Sequence, residues 1–365
     1  MRVLVVGAGM LGAAVSSALS VRGHEVTVLD AGRPAGGTSS TTFAWVNANN
    51  KRPMHYQQLN ADAMREHVRL GGVPRGWLVP TGHLEFATND AHRQRLTHRV
   101  ETLRDSGYRA EFVTPARAAE LEPDVQVGGD PLVAWFPDEG HCFPERYVAA
   151  MTAAPGITIE TGRRVTAVEN DGTVRLADGS TRTADHVVAC VGRDTAALLS
   201  EVRMTEPAPG NAAVGFLATT GPVSARLSRV VTSEGINLRP AHRGSVLVQT
   251  LDQDRFAVPG EPVPEHVRET MRRRAAERLG VSAVLENAVL GVRSLPSDGL
   301  PVAGYVGPRT YALAGHSGVT LAPLLGELAA REICGERQNR LEPYRPGRFT
   351  ESSGALEPPR RPGEQ

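Results

Sequence analysis

The chain has 365 residues, 41% of them hydrophobic, with equal numbers of acidic and basic side chains. That is enough for a core and for two domains, and a zero net charge argues against nucleic acid or an anionic membrane as main partner, since both need an electrostatic surplus. Cys142, Cys190 and Cys334 form no CxxC pair, no metal site is suggested, and no apolar run approaches the ~20 residues of a membrane span, so a cytoplasmic protein is expected.

Residues 2–6 read as a buried strand, followed by Gly7-Ala8-Gly9-Met10-Leu11-Gly12 and a helix to about Arg22. Gly23 turns the chain into a second strand, 26–29, so the hydrophobic period switches at the glycines as a βαβ unit requires. The stretch from Ala31 to about Pro53 is rich in Gly, Ser, Thr and Asn and too long for a plain connection, which marks it as functional. It contains Lys51, the only lysine of the chain. Helices are predicted at 54–70, 91–106, 115–121 and from Pro144 to 153; Thr114 is placed as N-cap with Pro115 as first helical residue. From Ile157, short strands with Asp-Gly turns predict a β-meander that closes on the strand 186–191. Residues 211–258 are strand-rich, 264–279 is a charged helix, and a strand at 311–314 leads through Gly315-His316-Ser317-Gly318 into a helix to Ile333.

Gly-x-Gly-x-x-Gly is weak by itself. Here a strand precedes it, a helix follows, and Asp30 ends the second strand eighteen residues after Gly12. Gly7 permits the tight turn, Gly9 lets a pyrophosphate approach the backbone, and Gly12 lets helix and strand pack closely. The helix amides and dipole then hold phosphates. Asp30 is positioned for ribose hydroxyls and disfavours a 2′-phosphate. The motif does not separate NAD from FAD, and a glycine-rich turn in another α/β fold is the bland alternative.

The C-terminal run Arg293-Ser-Leu-Pro-Ser-Asp298-Gly299-Leu-Pro301-Val-Ala-Gly304 and the following Gly315-His316-Ser317-Gly318-Val319-Thr320 resemble the D-amino acid oxidase superfamily of FAD-dependent oxidoreductases. Gly36-Gly37-Thr38-Ser39-Ser40 is similar to that family's FAD loop, and Cys190-Val191-Gly192 to its internal strand ending beside the cofactor. The resemblance implies an α/β fold: a Rossmann-type FAD-binding domain from residues 1–80, 140–205 and 290–345, and an α+β substrate domain on a mostly antiparallel sheet from 81–139 and 206–289. Residues 346–365 are expected to be a disordered tail.

The resemblance further implies cofactor contacts from Gly7, Gly9, Met10, Leu11, Gly12, Asp30, Ala31, Thr38, Ser39, Ser40, Val165, Cys190, Gly192, Gly315, Gly318, Val319 and Thr320. A helix beginning near Val319 would aim its amides at the flavin, where positive ends stabilise negative charge. His316 either touches the cofactor or caps its turn. Arg293 stands where the family's substrate-carboxylate arginine lies, an arginine being suited to grip both carboxylate oxygens; Arg239 competes for that role, and either can equally be structural. Lys51 either activates oxygen, binds an acidic substrate, or is a solvated loop lysine. Trp45, Trp135, Phe136 and His141 are candidates for the pocket wall, and Tyr56 and Tyr147 for an active-site tyrosine. Sarcosine-oxidase-type members tether flavin through a cysteine; Leu295-Pro296-Ser297 contains none, so non-covalent FAD is expected. The implied activity is oxidation of a C–N bond in a small amine or amino acid, with the imine hydrolysed and O2 as acceptor. An amine dehydrogenase with another acceptor, an NAD-dependent dehydrogenase and a non-enzymatic flavin-binding protein are the alternatives.

Overall fold

The structure, a computed structural model, describes residues 1–351. Its first layer is a six-stranded sheet in the order Val302–Tyr305, Thr310–Ala314, His186–Ala189, Arg2–Val6, Glu25–Leu29, Ile157–Glu160, parallel except for its first edge pair. Arg2–Val6 is central because Val3 to Val6 are all buried, as a strand covered on both faces must be. The helices Met10–Val21 and Gly318–Ile333 pack together on one face. Their close approach depends on Gly326, where an added Cβ would fall 2.5 Å from the Cβ of Ala14.

Pro323 lies inside the final helix and has no amide to give the carbonyl of Val319. The buried ring of His67, on the helix Met54–Arg69, meets that carbonyl through Nε2 at 2.9 Å. Burial lowers the His67 pKa to about 4, so the ring is neutral and can give up one N–H here.

The second layer is an eight-stranded sheet, Leu285–Val292, Val214–Thr220, Val246–Gln249, Ile236–Pro240, Val230–Ser233, His83–Ala87, Leu132–Phe136, Glu111–Val113. Only the Val230–Ser233/His83–Ala87 pair is parallel. The helix Glu265–Leu279 covers one face with Val267, Met271, Ala275 and Leu279, a stripe at four-residue spacing, against Phe216, Leu238 and Val248. The other face, with Leu217 and Leu247, turns toward Phe43 and Trp45.

Three expectations are corrected. Ile157–Glu160 is not part of the meander but pairs in parallel with Glu25–Leu29; the meander is Val165–Val168, Thr173–Leu176, Thr181–Thr183. The stretch 31–53 is not all loop: Thr38–Ser40 forms a 3-10 turn, and Trp45–Val46 pairs with Gly140–Cys142. The expected disordered tail is ordered at its start, because Phe349 is buried and Arg348 meets Asp298 at 2.6 Å. The remainder of that tail, 352–365, lies outside the described residues.

Candidate functional site

A single elongated cavity of about 1190 Å³ runs between the two layers. It exceeds the range usual for drug-sized ligands and suits an extended dinucleotide plus a small substrate. One end lies over the first βα turn. Gly7 has φ +102°, and a Cβ there would strike the carbonyl oxygen of Cys190 at 2.4 Å; at Gly12 it would strike the carbonyl oxygen of Gly7 at 1.9 Å. At these two positions the turn packs too closely on backbone for any side chain, whereas a Cβ at Gly9 would meet only Ser39 Oγ, at 3.3 Å. Asp30 accepts from the amides of Ala8 and Gly32, both at 2.7 Å, through different oxygens. Each oxygen keeps a lone pair for a ligand hydroxyl.

Gly7, Gly9, Met10, Leu11, Asp30, Ala31, Thr38, Ser39, Val165, Cys190, Gly192, Gly315, Gly318 and Val319 all line the cavity. Ser39 Oγ accepts from the Met10 amide at 3.3 Å, and Thr38 donates to the carbonyl of Val292 at 2.9 Å. Burial pushes the Cys190 thiol pKa up, so it is a neutral wall group rather than a nucleophile. Gly318 comes close to the turn: a Cβ there would be 3.9 Å from the Leu11 side chain. The start of the final helix and the glycine turn thus face one cavity.

Four of the expected cofactor or substrate residues stand outside the cavity wall. Gly12 is used for packing. Ser40 donates to the carbonyls of its own turn, Gly36 and Gly37. Thr320 ties the helix to the loop, donating to the carbonyl of Trp45 at 3.3 Å and accepting from the amide of Asn47 at 3.4 Å. Arg239 lies behind Phe43, donating to the Phe43 and Pro240 carbonyls. It is 5% exposed, has no ion pair among the described residues, and burial lowers its pKa to about 10.

Arg293 does line the cavity, but its fork is engaged. Nη2 meets the fully buried Asp254 carboxylate at 2.9 Å, and Nη1 donates to the carbonyls of Ala212 and Val214. Lys51 also lines the cavity, and the solvated-loop reading does not hold. Its Nζ donates to Ser317 Oγ at 3.0 Å, at the N-cap of the final helix. Burial lowers its pKa to about 8, against the raising influence of Glu139. His316 is driven well below the usual histidine range by burial, then by Lys51 and Arg293, so its ring is neutral; Nδ1 lies 3.3 Å from Ser317 Oγ.

Of the proposed wall aromatics, Trp45 lines the cavity, while Trp135, Phe136 and His141 do not. Phe136 is core, stacked on His83 at 5.0 Å. Tyr147 is likewise core, packed on Trp77 and His67, whereas Tyr56 is buried beside Ser317. Sequence reasoning missed Glu139, which is fully buried and receives Trp45, Asn49, Tyr108 and His83. In Pro137-Asp138-Glu139-Gly140 it reads as an exposed turn acid. No cluster that could hold a metal, and no helix long and apolar enough to cross a membrane, occurs among the described residues.

Comparison with known proteins matches residues 2–332 to a family model, DAO, described as FAD dependent oxidoreductase. The tRNA 5-methylaminomethyl-2-thiouridine biosynthesis bifunctional protein MnmC of Paracidovorax citrulli is 29% identical over 92% of this chain, which spans 58% of that protein's length. Glycine oxidase of Geobacillus kaustophilus is 24% identical, with 90% of this chain and 91% of the relative covered. A crystal structure of glycine oxidase from that species superposes with a TM-score of 0.83 at 22% identity, covering 97% of this chain and all of the other.

Proposed function

This chain belongs to the DAO family of FAD-dependent oxidoreductases, and we propose that it oxidises the C–N bond of a small amine or amino acid, of D-amino acid, glycine or N-substituted glycine type, with O2 as acceptor. FAD is bound non-covalently, Leu295-Pro296-Ser297 offering no cysteine for a tether. When bound, it takes the electron pair from the substrate carbon and passes it to the acceptor, the hard chemistry that side chains lack. The observation that carries the reading is the continuity of one cavity from the Gly7–Gly12 turn to Ser317 and the ammonium of Lys51.

The chain's own contribution is placement and charge. The glycine turn accepts the pyrophosphate, and Asp30 the ribose hydroxyls. The amides that open the final helix, together with Lys51, hold negative charge at the reacting end of the cavity. The neutral ring of His316 avoids adding a further cation beside Lys51. A substrate amine must be neutral to react, and a site this cationic disfavours its ammonium form. Water then hydrolyses the released imine to a carbonyl compound and an amine or ammonia.

For a substrate carboxylate, Arg293 is the arginine on the cavity wall, and Arg239 stands behind Phe43, outside it. The Arg239 guanidinium meets backbone carbonyls and no acid, whereas Arg293 already holds Asp254. Zero net charge favours a free small molecule over an amine carried on RNA. A second reading, an amine carried on tRNA, rests on the 29% identity to a tRNA 5-methylaminomethyl-2-thiouridine biosynthesis bifunctional protein, of whose length this chain spans 58%.

An anaerobic screen of N-substituted glycines, D-amino acids and modified RNA, following the bleaching of bound flavin, tests the reading. No bleaching with any carboxylate-bearing amine would overturn it. Replacing Lys51 with Met and following reoxidation by oxygen tests its charge: an unchanged rate removes Lys51 from the oxygen step and leaves substrate binding as its role.

A further inference from the structure

Glu139 is 0% exposed, yet it sits in a short turn between Leu132–Phe136 of the large sheet and Gly140–Cys142, which pairs with Trp45–Val46. Four side chains and one amide converge on its two oxygens. Tyr108 OH donates at 2.6 Å, Trp45 Nε1 at 3.0 Å, Asn49 Nδ2 at 2.9 Å to each oxygen, the Asn49 amide at 3.3 Å, and His83 Nδ1 lies at 3.2 Å. A buried carboxylate requires such a shell, because its desolvation is otherwise prohibitive. Three of the five contacts come from the segment 45–51, which ends at Lys51.

That segment follows a strained course. Ala44 and Asn50, at its two ends, have φ of +54°, a left-handed conformation that ordinary side chains adopt at a cost of about 1–3 kcal/mol when held by surroundings. Ser317, the partner of Lys51, is left-handed too, at +56°. Between the bends, the Glu139 shell, the Tyr108 hydroxyl accepting from the Ala48 amide at 3.2 Å, and the Thr320 hydroxyl hold the segment down.

We propose that Glu139 is the positioning residue of the reacting end: its buried carboxylate pins segment 45–51 in this course and thereby fixes where the Lys51 ammonium stands. It touches neither cofactor nor substrate and acts through Lys51. The other ionisable groups around Lys51 are His316 on the turn before the final helix, Tyr56 on Met54–Arg69 beside Ser317, Arg293 at the end of Leu285–Val292, and Arg99 on Asp90–Asp105, the two arginines lining the same cavity. The two arginines hold the buried carboxylates Asp254 and Glu85. Glu139 is thus the acid that acts on Lys51.

Because Lys51 is the only lysine, FAD-loaded protein grown on 13C-labelled lysine gives one ε-carbon resonance, and its pH titration reads this ammonium directly. Glu139→Gln removes the charge and half of the acceptor set. Its midpoint should fall by roughly one unit below that of the parent protein. Tyr108→Phe removes one donor, leaves the charge less compensated, and should raise the midpoint. If both variants keep FAD and neither moves the midpoint, the positioning role is wrong; if Glu139→Gln does not fold, Tyr108→Phe alone decides. The rate readout rests on the proposed role of Lys51: reoxidation by oxygen should slow in Glu139→Gln toward the rate of Lys51→Met. A midpoint shift with a Lys51→Met rate equal to that of the parent protein would uphold the clamp and refute the oxygen role.

Discussion

The Lys51 ammonium lies 3.0 Å from the hydroxyl of Ser317, the residue at the N-cap position of the final helix. Burial disfavours the charged lysine, the attraction of Glu139 offsets only part of this, and the pKa falls from 10.5 to about 8; among the described residues no acid pairs with it directly. Below about pH 8 lysine is charged in folded and unfolded chains alike, and the full penalty is present. Between about 8 and 10.5 the unfolded chain binds more protons, so stability rises with pH. Without FAD, Lys51→Met is expected to be more stable at pH 7 by on the order of 1–3 kcal/mol. That gain should shrink to nothing near pH 10.5, and urea unfolding of the apoprotein at several pH values measures it. A gain that stays constant across that range would show that the ammonium is not strained.

The glycine turn makes a graded prediction. At Gly7 and Gly12 an added methyl meets backbone oxygens, which cannot step aside. At Gly9 it would meet only Ser39 Oγ at 3.3 Å. Gly12→Ala and Gly7→Ala should therefore lose about 1–3 kcal/mol or more, with little FAD in the purified protein. Gly9→Ala should fold at nearly parental Tm while retaining less FAD, since its methyl faces the space the pyrophosphate needs. Tm with and without added FAD, beside the ratio of flavin to protein absorbance, separates the two effects.

The two arginines predict opposite phenotypes. Arg293→Met strands the fully buried carboxylate of Asp254 and should cost about 3–5 kcal/mol. Arg239→Met removes a buried guanidinium with no acidic partner and should remain folded. Because Arg239 stands outside the cavity wall, KM should stay put for carboxylated amines and for amines without that group alike. The measurement is steady-state kinetics on the matched pair of substrates beside a denaturation curve for each variant. An Arg239→Met protein whose KM rises roughly tenfold to a hundredfold for carboxylated amines alone would reverse the assignment.

Much of this architecture was legible because local signals agreed. The hydrophobic run 2–6, the three glycines and Asp30 dictate one βαβ unit, and Pro115 behind Thr114 starts a helix where the structure has it, with Thr114 accepting from the Arg117 amide. What could not be read were pairings set by distant segments. His83–Ala87 and Leu132–Phe136 lie in different stretches and become strands of one sheet by pairing with each other and with Val230–Ser233 and Glu111–Val113. The Glu139 shell is assembled from three distant segments, and no local pattern distinguishes Glu139 from an exposed turn acid. Arg293 lines the cavity, and its engagement with Asp254 depends on a residue 39 positions away.

His92 carries a prediction of the opposite sign to that for Lys51. Its ring lies between Glu85 at 2.8 Å and Glu234 at 2.9 Å. Burial alone would lower its pKa, but hydrogen bonding and attraction to these two carboxylates outweigh burial and raise it above 6.5, while Glu85 is held at about 2, Arg99 countering its burial. With a folded pKa above the unfolded one, the stabilisation is fully present below about pH 6.5 and is lost as pH rises through the folded value. His92→Gln keeps a hydrogen-bonding side chain and removes the charge. It should destabilise by about 1–2 kcal/mol at pH 5.5 and by distinctly less at pH 9. Urea midpoints for both proteins at the two pH values decide it, and an equal loss at both would mean that the ring acts as a neutral hydrogen-bonding group.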